Sequence, residues 1–268
     1  MITSLSNAKI KHLVELQSKS RTRNKEKLFV IEGVKMFLEA ENNLIKEVYI
    51  DEVTYTKMEE SSKETPSTHL GDAFKKLNEL KSRGTFVETV STDVFKKASD
   101  TQTPQGILAV VKMMRYTLKD IMGGNILVLE DIQDPGNLGT MVRTAEGAGV
   151  SGILMSKGTV DIFNPKTIRS TMGSLYRVPF CYTDDLKASI NELKKSGVTV
   201  YAAHLKGTKF YDEIDYSGKS AFLIGNEGNG LSDEIANEAD TYLKIPMEGK
   251  LESLNASIAA ALLMYRAR

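Results

Sequence analysis

Apolar positions along the chain follow two periods. Spacings of three and four residues predict helices over 7–18, 34–41 and 71–82, and short apolar runs predict strands over 28–32, 47–50, 86–90 and 107–112. The polar stretch 59–68, EESSKETPST, is expected to be a loop. Around 113–124 the pattern breaks, and Gly123-Gly124 then precedes a clear apolar run. Beyond it the alternation strengthens. Residues 126–129, 152–155, 198–203 and 221–224 read as buried strands, and 138–148, 186–196 and 254–267 as helices. Leu186, Ile190 and Leu193 carry the helical spacing in the second of these. Strands alternating with helices predict an α/β fold whose sheet is mainly parallel and covered on both faces. The division expected is a smaller α/β unit over 1–112, a linker over 113–124 and a larger unit over 125–268.

Composition changes this picture little, and charge changes it more. Hydrophobic residues make up 41% and charged residues 26%, which fits an ordinary globular protein and excludes a disordered or membrane-spanning one. Net charge is zero, yet residues 1–30 hold seven Lys or Arg against two acids. That segment is +5 and the rest −5, so the N-terminus is a candidate handle for a polyanion. Arg21, Arg23, Lys25 and Lys27 stand at every second position, where an extended chain would put all four on one side. Cys181 is the only cysteine, so no intrachain disulfide forms; it follows Val178-Pro179-Phe180 and reads as a core residue. The N-terminus lacks the apolar stretch of a signal peptide, and the chain reads as cytoplasmic with no membrane partner.

An α/β sheet invites a dinucleotide reading, but no Gly-x-Gly-x-x-Gly follows a strand and no phosphate loop is present. His12, His69 and His204 are scattered, join no cysteine pair and support no metal site. Three polar, glycine-rich segments remain, each after a predicted strand, where open α/β sheets hold ligands. In the first, Pro135-Gly136 makes a turn and Asn137 is a natural N-cap for the next helix. Gly139 and Arg143 lie on one helix face, although helix geometry alone favours Arg143 as an exposed partner of Glu146. The second runs Gly225-Asn226-Glu227-Gly228-Asn229-Gly230; its Gly and Asn residues accept positive φ, and Glu227 is its one carboxylate. The plain alternative is a tight loop before a helix capped by Ser232, but three glycines beside one acid straight after a buried strand favour a site. The third is Ile245-Pro246-Met247, then Ser253-Leu254-Asn255 at the head of an apolar helix. On its own it reads as a capped core helix.

These three segments, in this order, resemble the signature motifs of the SpoU (TrmH-type) RNA 2′-O-methyltransferases of the SPOUT class. Asn137-x-Gly139-x3-Arg143, Gly225-Asn226-Glu227-Gly228-x-Gly230-Leu231, and Ile245-Pro246-Met247 with Ser253-Leu254-Asn255 match residue for residue. Thr171-Met172-Gly173-Ser174 with Val178-Pro179 is similar to the stretch between the first two motifs. Residues 1–112 resemble, more loosely, the substrate-binding domain related to ribosomal protein L30e.

The resemblance implies a C-terminal SPOUT domain with a trefoil knot, S-adenosyl-L-methionine as cofactor, and a homodimer. It implies cofactor contacts at Leu205, Gly207, Gly225, Glu227, Ile245, Met247, Leu254 and Asn255. At the reacting centre it implies Asn137, Arg143, Glu227, Ser253 and Asn255. The implied partner is a structured RNA methylated on a ribose 2′-hydroxyl, ribosomal (23S) rather than transfer RNA, with Arg21, Arg23, Lys25 and Lys27 on its backbone. Arginine is the family's proposed base, but a guanidinium rarely gives up its proton. Arg143 is therefore expected to act as a cation, leaving the proton's acceptor open. A non-catalytic RNA-binding protein and a methyltransferase acting on a base stay as alternatives at this point.

Overall fold

The structure is a computed structural model and describes residues 1–64, 66, 68–250 and 253–268. Its first stretch runs α1 (Ala8–Ser18), α2 (Ser20–Glu26), β1 (Leu28–Glu32), α3 (Val34–Glu39), β2 (Ile45–Asp51), α4 (Glu52–Ser61), α5 (His69–Ser82), β3 (Phe86–Val90), α6 (Thr92–Ala98) and β4 (Ile107–Lys112). Then come α7 (Leu118–Ile121), β5 (Ile126–Leu129), α8 (Pro135–Ala148), β6 (Gly152–Ser156), α9 (Pro165–Thr171), β7 (Phe180–Thr183) and α10 (Leu186–Lys195). The chain closes with β8 (Thr199–Ala203), β9 (Lys209–Phe210), β10 (Ser220–Ile224), α11 (Asp233–Ala236), β11 (Thr241–Lys244) and α12 (Ala256–Arg266). It divides into two compact units: Met1–Met114 with Phe163–Gly173, and Arg115–Ile162 with Ser174–Arg268.

The first unit carries a four-stranded sheet in the order β1-β4-β2-β3. β4 is antiparallel to both neighbours, and β2 and β3 are parallel. Ile10, Leu13 and Leu16 of α1 are buried in one cluster with Val30, Tyr49 and Leu108 of the sheet. The segment Phe163–Gly173 packs here too: Phe163 lies against Phe29, with ring centroids 4.8 Å apart, and Arg169 pairs with Asp100 at 2.9 Å.

Two expectations fail in this unit. The stretch 59–68 is helical as far as Ser61, because α4 runs through it with Met58 as its buried residue; Thr65 and Ser67 lie outside the described residues. The 21–27 segment is not extended. It forms α2 and ends at Lys27, whose φ of +60° lies in the left-handed region. A 3.6-residue period puts Arg21 and Lys25 on one face and turns Arg23 the other way. Arg23 is buried and donates to the carbonyls of Leu16 (2.8 Å) and Gln17 (2.9 Å) at the end of α1, so it is no RNA-facing cation. Arg21, Lys25 and Lys27 are exposed.

The second unit holds a seven-stranded sheet ordered β7-β6-β5-β10-β8-β11-β9, with every pairing parallel. Its central strands read ILVL, GILMS and SAFLI and are buried at every position, as both-face cover requires. Leu186, Ile190 and Leu193 of α10 join Val128, Leu154 and Leu223 in its core, and buried Cys181 joins them. Burial pushes the Cys181 thiol up to about 11, so it sits as a packed, protonated side chain. Among the described residues no helix is long and apolar enough to cross a membrane.

The candidate active site

The site lies at the carboxyl ends of β5, β10, β8 and β11, neighbours in the sheet. α8 starts differently from the sequence expectation. Asp134, not Asn137, is its N-cap: the Asp134 carboxylate accepts from the Asn137 N–H at 2.8 Å, and Pro135 occupies the first turn, where its missing N–H costs nothing. That arrangement releases the Asn137 side chain. Its amide donates to Glu227 Oε1 (3.0 Å) and its oxygen accepts from Asn255 Nδ2 (3.1 Å). Asn255 also caps α12, accepting from the Ser257 N–H at 2.8 Å. A single hydrogen-bonded string thus joins the third segment to the first and the first to the second.

Glu227 is held from a second side. Its Oε2 accepts from the Gln133 N–H (2.9 Å) and its Oε1 from the Asp134 N–H (3.0 Å). Burial pushes its pKa up, but the hydrogen bonds from Asn137, Gln133 and Asp134 outweigh that and hold the carboxyl below its usual range. Glu227 is a fixed carboxylate.

The Gly225–Gly230 loop uses its glycines in two ways. Only Gly230 has positive φ (+69°). At Gly225 the constraint is close approach, since a Cβ there would fall on the backbone of Gly230 and Leu231. The two legs close through Gly230 N–H to Asn226 O at 2.9 Å. The loop is fastened outward by Asn226 Nδ2 to Asp131 O (2.8 Å), and Glu130 accepts from the Ser232 N–H (2.8 Å) and hydroxyl (2.6 Å). Ser232 caps α11, as expected from its place after the loop.

Beside this string opens a cavity of about 430 Å³. Leu205, Gly225, Glu227, Ile245, Met247, Ser253 and Leu254 line it. Gly207 and Asn255, grouped with them from the resemblance, do not. Gly207 is needed by the turn itself, where a Cβ would lie 2.6 Å from the Leu243 carbonyl carbon and 3.0 Å from His204 O. His204, Lys206 and Lys244 also line the cavity and were not singled out from sequence; all three follow or end the strands β8 and β11, a position that could have flagged them. Arg143 is exposed on α8. It makes no ion pair among the described residues, because Glu146 is engaged by Arg177 instead. Leu251 and Glu252, which lead into the third segment, lie outside the described residues.

Residues 124–265 match the model of the SpoU rRNA methylase family, and residues 7–109 match that of the MRM3-like substrate-binding domain. The first covers more than half the chain. The chain belongs to the SpoU rRNA methylase family. Among SpoU relatives, the 23S rRNA (guanosine(2553)-2′-O)-methyltransferase RlmP of Bacillus subtilis is 35% identical over 100% of this chain and 98% of its own. An rRNA methyltransferase crystal structure from Sinorhizobium meliloti superposes with a TM-score of 0.83, 32% identity, and coverage of 100% of this chain and 96% of that one. The AdoMet-bound form of that enzyme also gives 0.83, at 31% identity and the same coverage. SpoU membership bears out the family read from the three motifs and the α/β class.

Proposed function

We propose that the protein transfers a methyl group from S-adenosylmethionine to a ribose 2′-hydroxyl of ribosomal RNA, with 23S rather than transfer RNA as substrate. The carrying observation is the string Asn255–Asn137–Glu227, which gathers all three motifs into one place and ends on Glu227 in the cavity wall. The cavity suits the cofactor. It falls within the ~300–1,000 Å³ of small-ligand sites, and its apolar residues Leu205, Ile245, Met247 and Leu254 stand beside backbone brought close by Gly225. These residues would hold the nucleoside, and Gly207 would keep the Leu205 turn in shape. When bound, the cofactor supplies a methyl group on a sulfonium, a good leaving group.

The protein's own work is alignment and charge. The ribose oxygen must approach the methyl in line, and fixing that geometry supplies as much as ~7–11 kcal/mol. Asn137, Asn255 and Ser253 offer uncharged donors and acceptors for the ribose, and Glu227 holds Asn137 in register. Arg143, exposed on α8, would supply the cation that favours the ionising hydroxyl or grips an adjacent phosphate. The first unit acts as the RNA-binding part, with Arg21, Lys25 and Lys27 on the RNA backbone. It joins, after Met114, a SPOUT domain with a trefoil knot, working in the cytoplasm as a homodimer.

The test is transfer of tritiated methyl to total ribosomal RNA and, separately, total transfer RNA, with Arg143→Ala alongside. Label in ribosomal RNA that survives as an alkali-resistant dinucleotide, lost in Arg143→Ala while cofactor binding persists, is the expected result. Alkali-sensitive label would mean base methylation. Label in neither pool would make this an RNA-binding protein without activity.

A further inference from the structure

Asp131 follows β5 by two residues, lines no part of the cavity, and has a φ of +53°, one of three non-glycine residues with positive φ among those described. An L residue in that region is uncommon and persists only when its surroundings hold it there. Ser156 does the holding. It ends β6, is nearly buried, and its hydroxyl faces Asp131 twice: it accepts from the Asp131 N–H at 2.8 Å and donates to Asp131 Oδ1 at 2.6 Å. Buried Thr159 stands behind it, with hydroxyls 3.2 Å apart.

The turn has consequences on its other side. The Asp131 carbonyl accepts from Gln133 Nε2 (2.9 Å) and Asn226 Nδ2 (2.8 Å), and Gln133 Nε2 also donates to Gly158 O (2.8 Å). With the chain turned this way, the N–H groups two and three residues on, of Gln133 and Asp134, meet the two oxygens of Glu227 separately. Gly158 fits the same device independently. A Cβ there would collide with the Asp131 carboxylate, so the β6 loop leaves room for that side chain and for nothing more.

We propose that Asp131 and Ser156 are positioning residues that set the Glu227 carboxylate, and through it Asn137, for methyl transfer. The proposal rests on the reading of Glu227 and Asn137 as reacting-centre residues. Neither Asp131 nor Ser156 touches substrate or cofactor; together they fix the backbone between β5 and α8 so that two N–H groups point at one acid. Loops following three adjacent strands, β6, β5 and β10, are locked through them.

The experiment compares Asp131→Ala, Ser156→Ala, Gly158→Ala and Asp131→Asn with Glu227→Ala, in kcat, KM for RNA, calorimetric Kd for S-adenosylhomocysteine, and thermal midpoint. Asp131→Ala, Ser156→Ala and Gly158→Ala should each lower kcat about ten- to a hundredfold, while KM and Kd stay within about twofold, since an ångström of misplacement suffices for that loss. Asp131→Asn should restore kcat, because asparagine tolerates positive φ and keeps the acceptor for Ser156. Gly158→Ala removes neither side chain but pushes the Asp131 carboxylate off Ser156, so it tests the device even if an Asp131 variant unfolds. Full kcat in folded Ser156→Ala and Gly158→Ala, with Glu227→Ala inactive, would overturn the positioning role alone. Full kcat in Glu227→Ala would overturn the site reading with it. Loss of S-adenosylhomocysteine binding in step with kcat would show a merely structural role.

Discussion

Gly225→Ala is the sharpest single perturbation of the cavity proposed to hold the cofactor. Ordinary Cβ contacts begin near 3.4 Å, and the atoms met by a Cβ at 225 are the carbonyl of Gly230 and the nitrogen of Leu231, all backbone. They lie about 1 Å inside that limit, and close-packed backbone cannot yield as a side-chain tip does. The two legs of the loop must therefore part. Separating them by about 1 Å stretches the 2.9 Å bond from Gly230 N–H to Asn226 O beyond hydrogen-bonding range. Overpacking costs about 1–3 kcal/mol and the lost bond about 1 kcal/mol, together about 2–4 kcal/mol. A loop opened by the lower figure weakens cofactor binding roughly thirtyfold. Calorimetric titration with S-adenosylhomocysteine measures this directly, and thermal denaturation separates it from general unfolding. Gly228→Ala is the internal control for stability, since its Cβ would meet only Asn226 Oδ1 at 3.5 Å, an ordinary contact; its thermal midpoint should match the parent. An unchanged Kd in folded Gly225→Ala would refute the close-approach argument.

Three further outcomes are expected. Arg23→Ala should destabilise the first unit by about 2–4 kcal/mol, because two carbonyls lose a charged donor; Arg21→Ala with Lys25→Ala should leave stability alone but lower the salt slope of RNA binding by about 2. Denaturant titrations and filter binding at several salt concentrations check the pair. Lys76 of α5 donates to the carbonyls of Leu38 and Ala40 at the end of α3, and burial pushes its pKa down from 10.5 to about 8. Between those values the unfolded chain keeps a proton the folded one has released, so stability rises with pH from about 8 to 10.5. Lys76→Met should flatten that rise. The Glu227 carboxyl is depressed below its ordinary 4.5, so its stabilisation is full above that value and disappears as pH falls through the lower folded value. Urea midpoints measured downward from pH 6 should fall less in Glu227→Gln than in the parent.

Most strands of both sheets were legible because their runs are short, apolar and flanked by turn residues. The three motif segments were legible through residue types and order. Other features hid for physical reasons. Charges at 21, 23, 25 and 27 satisfy a period of two, yet 21 and 25 also satisfy a helix, and only the demand of two carbonyls at the end of α1 decides that Arg23 turns inward. Asp134 and Asn137 are both good caps; the proline between them was the signal for Asp134. α4 offers one buried residue, Met58, too few for a periodicity to show. Asp131 and Ser156 lie 25 residues apart, and only the parallel pairing of β5 with β6 makes them neighbours.

The assignment of Phe163–Gly173 bears on modularity. In sequence this segment sits inside the stretch matched by the SpoU family, yet it packs with the other unit, Phe163 against Phe29 and Arg169 with Asp100. The chain therefore passes between the units three times, at 114/115, 162/163 and 173/174. A cut at 114 would strip Phe163 and Ile168 of their packing and leave an apolar, sticky excursion on what remains. Exchanging the RNA-reading half for that of a relative would meet the same obstacle unless residues 163–173 travelled with it. Inheritance of substrate choice in such a protein should accordingly follow two separated stretches of the gene rather than one.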